Sequence, residues 1–311
     1  MRYKYIFGPV NSRRFGLSLG VDLSPETKSC NFDCLYCELS IAKLKDKIDN
    51  EADPKEIVSE LKEALEEFKD IDVITVTANG EPTLYSQLEE LIVQIEKIKG
   101  NKKTLILSNG STIYKKETMD ALRNFDIVKL SLDSAKIKTF KKLDRNLDSI
   151  DLNDIIEGMI KFRSVYRGVF VVEILVVKGL NDTFEEMRAL DEVLKNIKPD
   201  RVDLSTIDRP PAYGVEGISE ERLKELADTF KDISVNVVYK KEPKERVEYS
   251  KDELLHTITL RSLSQFDIES LLSTRSKEFL KELIGEGEVV EDDIGGVKFY
   301  RSSKQVSKRR A

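Results

Sequence analysis

Short β-branched and aliphatic runs recur along this chain, and amphipathic stretches alternate with them. Residues 17–23 alternate enough for a strand punctuated by Gly16 and Pro25. Runs at 73–77, 104–107, 127–132, 169–177 and 201–206 bring the predicted strands to six. Between them apolar residues return at helical spacing. One helix begins at Asp53-Pro54 and runs to about residue 69, with Ile57, Leu61, Ala64, Leu65 and Phe68 on one face. Others are predicted at about 84–99, 115–124, 152–165 and 183–196, the last capped by Thr183. Residues 134–150 read as a basic loop. Strict β/α alternation predicts an α/β fold with a parallel sheet and right-handed crossovers.

The rhythm changes after Pro211. A helix near 219–230 and a strand near 234–239 precede a charged, proline-interrupted linker at 240–246. Three helices follow, at about 251–259, 264–272 and 275–285. Two short strands, 288–291 and 297–300, are joined by Gly295-Gly296. Three helices closed by such a hairpin are the pattern of a winged helix. The expected division is a domain over 1–240 and a smaller unit over 241–311 that ends in a basic tail, 304–310.

Composition narrows the setting. The 311 residues are 40% hydrophobic and 35% charged, which reads as soluble and globular. No apolar run is long enough to span a bilayer, so no membrane partner is expected. The N-terminal residues 1–7 hold no apolar signal core, which points to the cytoplasm. A net charge of −6 excludes a uniformly basic nucleic-acid surface. In a reducing compartment clustered cysteines bind metal or do redox work more often than they form disulfides.

All three cysteines, Cys30, Cys34 and Cys37, fall on one loop after the first predicted strand. Thiolates select zinc, copper(I) or iron–sulfur clusters. Structural zinc wants four closed ligands, and the single histidine, His256, lies in the C-terminal unit. A 4Fe–4S cluster on three cysteines would keep one iron open. Ligands of parallel sheets gather at the C-terminal strand ends. There the order of elements places the cysteine loop, Asn79-Gly80-Glu81, Ser108-Asn109, Ser131–Asp133, 178–182 and Asp208-Arg209.

Cys-x3-Cys-x2-Cys with Tyr36 before the last cysteine resembles the signature of the radical S-adenosylmethionine (SAM) enzymes. The resemblance implies that Cys30, Cys34 and Cys37 hold a 4Fe–4S cluster whose open iron is chelated by the amine and carboxylate of SAM. It implies reductive cleavage of SAM to a 5′-deoxyadenosyl radical, which abstracts hydrogen from substrate. An electron donor such as flavodoxin or ferredoxin is then required. Asn79-Gly80-Glu81-Pro82 looks like the family's Gly-Gly-Glu-Pro and departs at Asn79. The implied roles are methionine-amine binding by Glu81 with the backbone of Asn79 and Gly80, and adenine contact by Tyr36. Ser108, Asn109, Ser131 and Asp133 match strand ends that contact the ribose and the methionine carboxylate. Phe7–Arg14, 20–22 and 208–211 look like a subgroup related to wyosine-type tRNA-modifying enzymes, whose second cluster needs three upstream cysteines that this chain lacks.

Plainer readings stand beside these. Glu81 can serve a helix N-terminus, and Ser131 and Asp133 can cap helices. Arg13-Arg14 and Arg209, expected at the barrel mouth, are either ordinary surface or an anion site. Lys136, Lys138, Lys141, Lys142 and Arg145 read as one solvated face offset by Asp144 and Asp148. The expectation is a partial (β/α)6 TIM-like barrel with a small winged-helix-like domain. The enzyme would act on a tRNA base, or alternatively on a small metabolite or protein side chain. A non-catalytic metal-binding regulator is the competing class.

Overall fold

The computed structural model describes residues 3–12, 14–238, 246–260, 262–294 and 297–303. Its main sheet has eight strands in sequential order. They are β1 Ile6–Ser12, β2 Gly16–Asp22, β3 Val73–Thr77, β4 Lys103–Ser108, β5 Ile127–Ser131, β6 Val169–Val176, β7 Arg201–Thr206 and β8 Val235–Val237. From β2 onward every neighbour pair is parallel. That is the outcome of repeated right-handed β/α crossovers. The strands carry buried aliphatics in continuous runs, as in the Val-Ile-Thr-Val of β3, because helices cover the outer face of a parallel sheet.

The covering helices are α1 Pro54–Glu67, α2 Leu88–Ile98, α3 Lys116–Leu122, α4 Ile137–Asp144, α5 Leu152–Val165, α6 Phe184–Ile197 and α7 Glu220–Ala227. α1 starts where Asp53 accepts the Lys55 N–H and Pro54 fills the first turn. Its Ile57, Leu61 and Ala64 are fully buried, the two larger residues contributing roughly 2 kcal/mol each. Thr183 caps α6 by accepting the Glu186 N–H.

Two differences from the sequence expectation matter. The sheet has eight strands rather than six: β8 joins it beside β7, and β1 pairs antiparallel with β2. The register of β1 shifts between Phe7 and Val10, where Gly8-Pro9 breaks the strand pattern. The basic stretch 134–150 also contains a helix, α4, rather than loop alone.

After β8 come α8 Lys251–Leu260, β9 Leu263–Ser264, α9 Gln265–Leu271, α10 Thr274–Gly285, β10 Val289–Ile294 and β11 Val297–Ser302. The three strands form a second sheet in the order β10-β11-β9. Tyr249, Leu254, Ile258, Leu272, Leu280 and Val289 pack into a second core. Leu17 of β2 touches both cores, and the Tyr249 hydroxyl donates to the Pro9 carbonyl. Arg13, linker residues 239–245, the Gly295-Gly296 turn and the tail from 304 lie outside the described residues. Among the described residues no helix is long and apolar enough to cross a membrane.

Candidate active site

The cysteine loop follows β2 and is pinned from three directions. From the end of β3, the Asn79 carbonyl accepts the Ser29 N–H at 2.8 Å, and the Glu81 N–H donates to Ser29 O at 2.9 Å. Gly80 between them has φ +138°, and a Cβ there would lie 1.9 Å from Ser29 O. Only glycine lets the two backbones meet this way. From α4, the Asp33 and Leu35 N–H groups donate to Asp144 O (3.1 Å) and Leu143 O (2.9 Å). From the loop after β7, the Ala212 N–H donates to Cys37 O at 2.7 Å. In that same loop Arg209 reaches both carboxylate oxygens of Glu38, at 2.8 and 2.9 Å, and Tyr213 donates to Asp33 at 2.5 Å.

Cys30, Cys34 and Cys37 are half-buried free thiols on the wall of a cavity of about 470 Å3. Asn79, Gly80, Glu81, Ser108, Asn109, Ser131 and Tyr36 share that wall. Donors are aimed at the sulfurs: the Phe32 N–H at 3.5 Å and Asn109 Nδ2 at 3.8 Å from Cys30 Sγ, and Lys28 Nζ at 3.6 Å from Cys37 Sγ. This is the environment that cluster thiolates need. Burial, with Glu81 nearby, pushes the Cys30 thiol up to about 12, and burial raises Cys34 and Cys37 as well. Metal ligation reverses that preference, because a cation deprotonates its thiols outright. Among the described residues no three His, Cys, Asp or Glu side chains converge at single-ion spacing. A cluster does not ask for convergence, since each thiolate takes its own iron. The donor set fits a 4Fe–4S cluster.

Glu81 is almost fully buried, which pushes its carboxyl upward. Four hydrogen bonds oppose that shift. Oε1 accepts from the Thr83 N–H (2.9 Å), the Thr83 hydroxyl (2.7 Å) and the Ser108 hydroxyl (2.7 Å). Oε2 accepts from the Asn109 N–H at 2.7 Å. Ser108 and Asn109 thus hold Glu81, besides lining the cavity. Asn109 Nδ2 also donates to Asn31 Oδ1 at 2.9 Å, and Asn31 Nδ2 to the Ser111 hydroxyl at 2.7 Å. Sequence reasoning missed Asn31 and Thr83, since a lone asparagine or threonine in a loop carries no signal of its own.

Asp133, unlike the other predicted residues, does not line the large cavity. It is buried behind Tyr36, in a small side cavity with Asp144, Phe140 and Ser131. The Tyr36 hydroxyl donates to Asp133 at 2.5 Å and lies 3.5 Å from Asp144. Asp133 also accepts the Leu175 N–H at 2.7 Å. Burial raises both carboxyls, Asp133 to about 7, and Asp133 lifts Asp144 further. The pair fixes the aromatic residue of the cysteine loop from behind.

Of the arginines expected at the mouth, Arg14 and Arg209 are engaged in ion pairs, and Arg13 lies outside the described residues. Arg14 enters the barrel from the turn between β1 and β2 and meets Glu173 at 2.6 Å and Asp203 at 3.5 Å. Lys129 holds the other Glu173 oxygen at 2.5 Å, and burial brings its ammonium down to about 8. Arg209 is occupied by Glu38. These ion pairs join residues far apart in the chain, so no local pattern announces them.

A family model described as "Radical SAM superfamily" matches residues 26–194, which contain the cysteine loop, Glu81 and strands β3 to β6. The chain is 41% identical to a UPF0026 protein of Helicobacter pylori over 298 residues, covering 95% of this chain and 96% of that one. It is 28% identical to a UPF0026 protein of Methanocaldococcus jannaschii, covering 94% of each. A crystal structure of a radical SAM methyltransferase from Sphaerobacter thermophilus superposes with a TM-score of 0.55 at 16% identity, covering 71% of this chain and 65% of that one. That likeness shows the fold. A family match over more than half the chain, on a donor set that suits its cluster, makes this chain a member of the radical SAM superfamily, an enzyme that uses a 4Fe–4S cluster and SAM.

Proposed function

We propose that Cys30, Cys34 and Cys37 hold the cluster, that Glu81 receives the methionine amine of SAM, and that a small substrate group reacts in the barrel lumen below. The observation that carries this reading is Glu81. Its carboxylate is fixed by four donors on the cavity wall it shares with the three thiols. Oε1 accepts three of them; Oε2 accepts one and keeps capacity for a further donor, such as an ammonium. When bound, the cluster supplies the electron that splits SAM for hydrogen abstraction. Tyr36, held by Asp133, lines the same wall beside Ser131.

The substrate reading follows from the lumen. Lys129, Glu173, Ser18, Thr75 and Arg14 line it together with Leu105 and Leu107, which suits a small polar molecule or one side chain. A tRNA base is the second reading. It draws support from the C-terminal unit, which we assign as a winged helix and a separate domain because β9 joins the β10–β11 hairpin beside three helices. Two cations of its hairpin that could meet a phosphate backbone are already paired, Lys298 with Glu291 and Arg301 with Asp292. Leu260 of α8 lines the catalytic cavity, so this unit also forms part of the site's wall. A cytoplasmic, reducing setting belongs to the same proposal.

The test is isotopic. Reduced enzyme with SAM, given fractions of deuterated cell extract, is expected to place deuterium in 5′-deoxyadenosine with a small-molecule or a protein fraction and not with the tRNA fraction. Deuterium arriving from the tRNA fraction instead would overturn the small-substrate reading.

A further inference from the structure

We infer that α4 is the docking face for an acidic electron-donor protein. This rests on membership of the radical SAM superfamily, whose reaction needs an external reductant. Three observations support it.

The first is position. α4 lies against the cysteine loop through the backbone bonds from Asp33 and Leu35, and Leu147 just beyond it donates to Asn31 O at 3.0 Å. The loop thus abuts the C-terminal end of α4, in whose last turn Lys141 and Lys142 are exposed. No residue of α4 lines the large cavity. A protein seated on α4 leaves the substrate entrance open.

The second is charge. Lys138, Lys141 and Lys142 are exposed on α4, and among the described residues none of them has an ion-pair partner. Lys136, just before the helix, is taken up by Glu185 and Glu186, and Arg145, just after it, by Asp33. Asp144 does not offset the lysines, because it is buried against Tyr36. Asp148 beyond the helix remains as an exposed acid. A cluster of free cations on a chain of net charge −6 is a local field of the opposite sign, and such fields steer oppositely charged partners.

The third is an exposed aliphatic residue. Ile137 is 49% exposed at the start of α4, one turn from Lys141. An apolar contact ringed by charges suits small, transient electron-transfer interfaces. The chemistry names the partner: a protein with an acidic rim around a one-electron centre. A nucleic acid would also answer to the lysines, and the test separates the two.

The probe is flavodoxin reduced to the hydroquinone, with dithionite as the chemical reductant. The variant is K138E/K141E/K142E, and K62E/K97E/K102E carries the same charge change on α1, on α2 and just before β4. With flavodoxin at low salt, the α4 variant is expected to form 5′-deoxyadenosine at least about tenfold more slowly than wild type. Its rate with dithionite and its cluster content should match wild type, and the control variant should be unaffected with either reductant. The wild-type flavodoxin rate should fall with salt, and that dependence should flatten in the α4 variant. An unchanged flavodoxin rate in the α4 variant, or an equal loss in the control, overturns the inference. So does a loss confined to RNA binding. Lost cluster or lost dithionite activity in the triple variant transfers the decision to K138Q/K141Q/K142Q and to the wild-type salt profile, where a salt-independent flavodoxin rate overturns the inference. Loss of dithionite activity in wild type would instead count against the proposed active site.

Discussion

The cysteine loop has two faces, and they are built differently. The inner face meets Glu81, whose N–H donates to Ser29 O at 2.9 Å, and Asn109, whose side-chain amide donates to Asn31 Oδ1 at 2.9 Å. The outer face meets α4 through two backbone bonds, the Tyr36–Asp144 contact and the edge-to-face pair of Phe32 with Phe140, and α4 turns lysines to solvent beyond it. The inner face fixes atoms for chemistry, where misplacement is costly. The outer face is suited to transient encounter, where long-range charge sets the rate. One loop thus separates the substrate side from the electron side.

The comparison breaks first at the loop itself. Cys34→Ser is expected to abolish the iron–sulfur absorption and all 5′-deoxyadenosine formation, whichever reductant is used. Retained cleavage would detach the loop from both faces. Glu81→Gln should act on the inner face only. Its amide nitrogen, placed at Oε2, would set a donor against the Asn109 N–H and remove the charge that meets an ammonium. Weakening of SAM binding on the order of 100-fold is expected, with the cluster absorption kept. Equilibrium binding of SAM to both proteins decides it. Substitutions on the outer face, by contrast, should leave SAM binding unchanged.

Lys129 gives the smallest and most local effect. Its amine is expected to titrate near pH 8 rather than near 10.5, read by pH-dependent acylation of that lysine. The sign for stability follows. Between about pH 8 and 10.5 the native chain binds fewer protons here than the unfolded chain, so this contribution to stability rises with pH across the window. Lys129→Met should remove the rise. A midpoint near the ordinary lysine value would mean that the lumen is wet and open.

The two faces were also unequally legible in the sequence. The inner face follows from periodicity, because six β-branched runs alternate with amphipathic helices and parallel strands bring their C-terminal ends together. Three cysteines on one loop identify themselves by spacing. The outer face was hidden: α4 has no side-chain cap, its N-cap position being Lys136, and its lysines read as loop. Asp144 looked like a surface acid until its burial behind Tyr36 was visible. β1 was obscured by Gly8-Pro9 at a register shift. The clasp of Arg209 on Glu38 joins positions 171 residues apart, and only the fold brings them together. The same distance effect misplaced Arg14, which closes the barrel from below.

The central claim is that three thiolates hold a cluster with one iron open to SAM beside Glu81. The most direct measurement is electron paramagnetic resonance of the anaerobically reconstituted, dithionite-reduced protein, recorded before and after SAM is added. The account predicts a 4Fe–4S signal whose g-values shift with SAM in wild type and stay fixed at the same SAM concentration in Glu81→Gln. A single tightly bound zinc with no signal, or a cluster signal indifferent to SAM in wild type, would contradict it.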